Sequence, residues 1–154
     1  MREILFRGKY SKKSPDWIEG SFHRDEDTNI CEIAYRYYKK EGETKAGIWV
    51  YGVVDPETVG QYTGLKDKNG KKIFEGDILH IAKISDGLGD YYHPPLDCPV
   101  NVVVKWDLCA WIWETLCYDK LCDDKMYITF PNAWCHYECE VIGNIYDNPE
   151  LIGK

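Results

Sequence analysis

The sequence VGQYTGLKDKNGKKIFEGDIL, residues 59–79, holds two strand-like runs and two turn signals in one short stretch. Its centre, DKNG at residues 67–70, begins with Asp and ends with Asn-Gly, and both Asn and Gly adopt the positive φ angles of tight turns. The stretch therefore predicts a β-hairpin that joins residues 61–66 to residues 71–74, with Asn-Gly and its neighbouring lysines at an exposed tip.

The predicted hairpin continues into a further strand. EGD at residues 75–77 places a Gly between two acids, which is typical of a second tight turn, and the strand-like run ILHIAKI, residues 78–84, follows it directly. This order leaves no room for a helix across residues 65–81.

Short strand-like runs recur along the rest of the chain at intervals of about ten residues. Residues 30–38 also fit a helical stripe, but their aromatic and β-branched content favours a strand. The other predicted strands are residues 3–7, 16–24, 47–54, 100–107, 110–116 and 125–130, with the last ones in 131–148. Residues 148–153 predict one terminal helical turn, with Asn148 as its cap and Pro149 at its first position.

This pattern predicts a mainly β fold, all-β or α+β. The expected architecture is a small, partly open SH3-like barrel or a two-sheet sandwich with short helical turns. The 154 residues suit a single domain, residues 1–154. An N-terminal β subregion (1–58) followed by a C-terminal barrel (59–154) is the alternative division.

The charge distribution argues against a duplex DNA-binding protein. The net charge is −7, and residues 46–154 hold nine Lys and Arg against seventeen Asp and Glu. Binding to duplex DNA draws most of its affinity from neutralised phosphates, which an acidic surface opposes.

The chain shows no signal-peptide pattern and no apolar run that could span a membrane, so we expect a protein of the cytoplasm. Its seven cysteines are then expected to be reduced thiols rather than disulfides.

Three blocks resemble a known family: MREILFRG at residues 1–8, VGQYTGLKDKNGKKIFEGDIL at 59–79 and EVIGNIYDNPELI at 140–152. They look like the YopX family of small proteins from bacteriophages and prophages. The resemblance implies a predominantly β fold with a small barrel, a phage or prophage origin and a location in the bacterial cytoplasm. It implies no defined activity and no catalytic residues.

Paired cysteines form a weak candidate zinc site. Cys117 and Cys122 are separated by four residues, and Cys135 and Cys139 by three, which fits the two thiolate pairs of a tetrahedral centre only in part. On a strand, the second spacing would place the thiols about 13 Å apart. Burial as small core residues is therefore the favoured interpretation. Further candidate ligands are Cys109 and His136.

The acids Asp67, Glu75 and Asp77 could suggest a hydrolase with paired carboxylates. They are not accompanied by a nucleophile, a His-acid pair or a phosphate-binding loop. We therefore interpret residues 59–79 as a structural element, and we expect no enzyme activity and no cofactor.

Aromatic side chains on a small barrel can stack on bases or nucleotides, although most of them are expected in the core. The candidate ligand-binding residues are Trp111, Trp113, Tyr91, Tyr92, Lys68 and Lys71. Further members of the aromatic set are Trp106, Trp134 and His93, and Lys66 and Lys72 complete the lysine patch. The Gly- and Pro-rich segment 86–99, which contains both tyrosines, is predicted to be the most mobile loop.

The favoured function is that of a non-enzymatic phage accessory protein, which binds an unknown host or phage protein or assembles with itself. A nucleic-acid or nucleotide-binding β-barrel is the first alternative, and it requires the lysine patch and an exposed Trp on one face. A metal-assisted enzyme is the second alternative. We expect no membrane partner.

Overall fold

The computed structural model describes residues 3–38, 47–81, 100–107, 110–115, 127–129 and 139–152. It confirms the mainly β class, because antiparallel strands make up most of the described chain and the helices are short 3-10 turns. Within these ranges, no helix has the length and apolar character needed to cross a membrane.

The chain divides into two compact units, Met1–Tyr62 and Thr63–Lys154, and the boundary falls within the strand β5. The strands of the first unit are β1 (Phe6–Lys9), β2 (Trp17–Arg24), β3 (Cys31–Tyr37), β4 (Ile48–Val54) and the start of β5 (Gly60–Lys66). Those of the second unit are the rest of β5, β6 (Lys72–Phe74), β7 (Asp77–Ile81), β8 (Val100–Asp107), β9 (Ala110–Thr115), β10 (Tyr127–Thr129) and β11 (Cys139–Asn144).

The sheet of the first unit has the strand order β4-β3-β2-β1-β5, with antiparallel neighbours. Its buried face holds Cys31, Ile33 and Val54, and partly buried apolar side chains pack against them. These packing residues are Phe6, Ile18, Phe22 and Val59. The alternation of buried and exposed residues follows from the two-residue period of a strand.

The second unit contains a five-stranded antiparallel sheet of order β10-β9-β8-β7-β11. One face of this sheet carries the larger core, in which Leu79, Val102 and Val104 are fully buried beside Cys139. On the other face, Ile78 and Val103 pack with Ile145 and Leu151. The strands β7 and β11 lie side by side although they are far apart in the sequence.

The predicted hairpin is confirmed. The strands β5 and β6 are neighbours, the Asp67 N–H donates to the Lys71 carbonyl (2.8 Å), and the Gly70 N–H donates to the Asp67 carbonyl (2.9 Å). The second turn is also confirmed, since Gly76 has a φ of 80° and β7 begins at Asp77. The described chain has no helix between residues 65 and 81.

The first strand and the terminal turn differ from the predictions. The first strand begins at Phe6 rather than at residue 3, because its register with β2 runs from the pair Phe6–Gly20 to the pair Lys9–Trp17. The terminal turn is a 3-10 helix, Pro149–Leu151, and the Asn148 side chain does not cap it. That side chain instead accepts a hydrogen bond from the Asn144 N–H (3.4 Å).

We predict that Gly70→Ala lowers the free energy of unfolding by about 1 kcal/mol, the cost of a left-handed conformation for a residue with a Cβ. Gly70 has a φ of 81°, and no atom lies within 4 Å of a Cβ built there, so steric contact adds nothing. Urea denaturation measures the loss.

Gly70→Asn is the matched control, because Asn tolerates this conformation better than Ala. Equal stability of the Ala variant and the wild type would contradict the assigned turn.

Candidate functional site

Asp67 is the first residue of the hairpin turn, and its carboxylate is buried. One oxygen, Oδ1, accepts the backbone N–H groups of Asn69 (2.8 Å) and Lys71 (2.9 Å). The other, Oδ2, accepts the N–H of Val141 in β11 (3.0 Å). Asp67 therefore closes its own turn and fastens that turn to a strand 74 residues away.

The next residue, Lys68, reinforces this junction. Its backbone N–H donates to the Cys139 carbonyl (3.0 Å), and its ammonium group pairs with Glu140. Because this ion pair is exposed, it contributes little to stability, and the buried hydrogen bonds of Asp67 carry more weight. Two of the three sequence blocks that resemble the family thus meet at residues 67–71 and 139–141.

Burial raises the pKa of the Asp67 carboxyl, but the N–H donors of Val141, Lys71 and Asn69 together outweigh burial and hold the pKa below its usual value. The hydrogen bond between Lys68 and Glu140 raises the pKa of Lys68 and lowers the pKa of Glu140. Asp67 is therefore an ionised structural group at neutral pH.

Asp77 has a similar role at the second turn. It is 1% exposed, and its Oδ2 accepts the Phe74 N–H (2.8 Å). Both carboxylates accept backbone N–H groups of their own turns, as Asp side chains that stabilise turns commonly do. This arrangement supports a structural rather than a catalytic interpretation of the acidic residues at 67 and 77.

The lysine patch does not form a single cationic surface with Trp111. Lys66, Lys68 and Lys71 are exposed, but Lys68 is paired with Glu140. Trp111, predicted to contact a ligand, is only 7% exposed and belongs to the core of the second unit.

Trp106 lies opposite Trp111 in the β8–β9 pair, and their ring centroids are 4.9 Å apart in an edge-on arrangement. Trp106 is 50% exposed. It is therefore the member of this pair that solvent or a ligand can reach. Five members of the predicted aromatic set lie outside the described residues. They are the side chain of Trp113 and the whole of Tyr91, Tyr92, His93 and Trp134.

The structure describes two of the seven cysteines, Cys31 and Cys139, and both are buried thiols. Cys139 packs among the aliphatic side chains of the larger core, the position expected of a small apolar residue. Within the described ranges, no group of three or more potential metal ligands occurs. The candidates Cys109, Cys117, Cys122, Cys135 and His136 lie outside these ranges.

Several exposed apolar side chains lie on β4, where the sequence indicated only a strand. Trp49 is 59% exposed, Tyr51 62% and Val53 55%. Alternate residues of a strand share a face, so these three side chains form one row. The row lies opposite the buried face that contains Val54.

Neighbouring residues of β3 extend this row. Arg36 lies opposite Trp49, Ala34 opposite Tyr51 and Glu32 opposite Val53, and directly opposite residues share a face. The Arg36 guanidinium is 5.9 Å from the centre of the Trp49 ring, within the range of a cation–π contact. We call the surface formed by these six residues the outer face: Trp49, Tyr51, Val53, Glu32, Ala34 and Arg36.

A signal for the outer face is present in the sequence. IWVYGVV, residues 48–54, is apolar at both odd and even positions, whereas a strand with one solvated face normally alternates. Such a run indicates a strand that is covered on both faces. In the described structure only one face is covered, so β4 leaves a contiguous row of apolar side chains exposed on its other face.

The comparisons with known proteins agree with the fold. A family model described as YopX protein matches residues 5–153. A solved structure of protein EF1440 from Enterococcus faecalis is similar over 99% of this chain and 99% of that chain, with 22% sequence identity and a TM-score of 0.52. At this identity the likeness concerns the fold alone. No curated protein matches the chain.

We predict that Asp67→Asn lowers the free energy of unfolding at pH 7 by about 2 kcal/mol, the usual contribution of buried hydrogen bonds to a charged group. The Asn amide is neutral and has only one acceptor oxygen, so it cannot replace the carboxylate at all three N–H groups. Because the folded-state pKa of Asp67 is depressed, its carboxylate stabilises the fold above the ordinary Asp pKa, and this contribution is lost as pH falls.

The deficit of Asp67→Asn should therefore shrink below about pH 4, where the unfolded wild-type chain begins to bind a proton at this carboxyl, and it should vanish once the native carboxyl is also protonated. Denaturation at a series of pH values measures it. Asp27→Asn, at an exposed position, is the matched control. A deficit that does not change with pH would mean that the charge of Asp67 has no structural role.

Proposed function

The chain belongs to the YopX family, whose model spans residues 5–153, and we propose that it is a non-enzymatic accessory protein of a bacteriophage or prophage. In this proposal it acts in the cytoplasm of the bacterial host as a binding and assembly module. The outer face is the surface that contacts its partner, and the partner is a protein of the host or the phage.

One observation carries the proposal: an edge strand exposes Trp49, Tyr51 and Val53 in a single row. Exposed apolar residues that are scattered singly need no explanation, but a contiguous patch marks an interaction site. Trp and Tyr also dominate the binding energy of protein interfaces, because they bury large areas around a small number of rotatable bonds.

The charges of the outer face favour a protein partner over a nucleic acid. Arg36 and Glu32 are its only charged members, and they balance each other. A phosphate backbone requires a cluster of cationic groups. An aromatic row flanked by one cation and one anion instead fits the mixed apolar and polar surface of a protein.

The non-enzymatic part of the proposal is supported by the turn geometry. Asp67 and Asp77 use their carboxylates to hold backbone N–H groups in place. The residues that look most like catalytic acids in the sequence therefore have a structural task.

We predict that replacing two residues of the outer face, Trp49→Ser with Tyr51→Ser, abolishes capture of the partner protein from lysate of phage-infected host cells. The wild-type chain and the variant are compared as bait, and captured proteins are quantified by mass spectrometry. Because both side chains are exposed, their removal should leave the fold intact, which circular dichroism checks.

The control for this experiment is Ile4→Ser with Ile152→Ser, which removes two exposed apolar side chains elsewhere. The proposal expects this control to capture the same proteins as the wild type. A partner that is retained by the Trp49 and Tyr51 double variant would contradict the assignment of the outer face.

We predict that the protein does not bind random duplex DNA at a physiological ionic strength of about 0.15 M. The acidic balance of residues 46–154 opposes the phosphate backbone, and the Lys68 ammonium is already paired with Glu140. A mobility-shift titration tests this directly. Binding at micromolar concentration or tighter would favour the nucleic-acid alternative.

A further inference from the structure

The outer edge of β4 presents backbone groups as well as side chains. The strand Ile48–Val54 pairs with β3 over seven consecutive residue pairs, from Ile48–Tyr37 to Val54–Cys31, without a register shift. On its other side, no strand of the described chain is a neighbour. Within the part of the chain that the structure describes, the alternate N–H and C=O groups on that side have no strand partner, as at the edge of any sheet.

The edges of the other sheet are protected by features that β4 lacks. The edge strand β10 is only three residues long. The opposite edge, β11, carries the charged Glu140 and a register shift between Val141 and Gly143. Short strands, charges and bulges are the usual means by which proteins prevent edge-to-edge pairing. By contrast, β4 is regular, and its sequence IWVYGVV contains no charge and no proline.

We propose that β4 pairs in antiparallel fashion with β4 of a second copy of this chain, about a twofold axis at Tyr51. Tyr51 is the middle residue of the strand, so a pair centred on it uses all seven residues of both strands. In this register each Trp49 lies opposite the second copy's Val53, and a large side chain is next to a smaller one.

The charges next to β4 are complementary in sign under the same twofold axis, although three strand spacings of about 4.8 Å separate them and their attraction is weak. Arg36 lies beside Trp49, and Glu32 lies beside Val53. Pairing Trp49 with the second copy's Val53 therefore produces a row of four side chains across four strands. Arg36 lies at one end, and the second copy's Glu32 lies at the other. The axis generates this row twice, and in neither row do like charges oppose each other.

Pairing with a second copy would explain why the edge of β4 lacks the features that prevent strand pairing. A twofold pair uses the same edge of both chains, so assembly stops at two copies rather than growing into a fibre. The inference rests on the proposed function, because the two outer faces would join into one continuous surface of double width. That surface would remain open to a partner protein.

The test uses charge substitutions at the axis. Tyr51→Lys and Tyr51→Glu each place like charges opposite each other in a homodimer, whereas an equimolar mixture places Lys opposite Glu. We expect wild-type protein to form a dimer as its concentration rises, each variant alone to be monomeric, and the mixture to form a heterodimer. Light scattering after size exclusion and native mass spectrometry measure these states.

Ile4→Lys and Ile4→Glu are the matched controls, because Ile4 is as exposed as Tyr51 but does not belong to β4. They should dimerise like the wild type. Circular dichroism checks that all variants are folded. Recovery of a dimer in the equimolar mixture shows independently that both Tyr51 variants are folded.

Wild-type protein that is monomeric up to submillimolar concentration would overturn the inference, and so would a mixture that stays monomeric. Failure of this inference can be distinguished from failure of the proposed function. A monomeric wild type whose partner is lost on substitution of Trp49 and Tyr51 refutes self-pairing alone. The opposite result is also possible: mixing restores the dimer, but no captured protein depends on Trp49 and Tyr51. That result refutes the proposed protein partner alone.

Discussion

The carboxylate of Asp67 is the point on which the second unit depends. It accepts N–H groups from its own turn and from β11, so a local turn and a long-range contact are stabilised by the same buried charge. A buried carboxylate is favourable only when hydrogen bonds replace its lost hydration. Turn geometry and strand position therefore become mutually dependent, and neither is fully stabilised until the other has formed.

The sequence predicts the hairpin well because its information is local. The Asp, Asn and Gly of residues 67–70 and the Gly at 76 encode turns without reference to the rest of the chain. The contact between Asp67 and Val141 could not be predicted in this way, since it joins segments 74 residues apart. Only the resemblance of both segments to one family indicated that they belong together.

The candidate site was harder to predict, because strand alternation assigns a residue to a face but does not tell what covers that face. Trp106 and Trp111 are opposite each other on one face, yet the first is half exposed and the second is buried. Similarly, Trp49 and Tyr51 are strong strand formers that indicate a core position by composition. They are exposed because their register with β3 places them on the face away from Cys31, Ile33 and Val54, and no described residue covers that face.

The pairing of Ile81 with Val100 has a consequence for how the chain can vary. These two residues are direct neighbours in the β7–β8 ladder, so the ladder itself fixes both ends of the connecting segment. The entropy of closing a loop grows only with the logarithm of its length, and doubling that length costs about 0.6 kcal/mol. A change in the number of residues between Ile81 and Val100 therefore alters the closure entropy only slightly, while the ladder still determines where both ends lie.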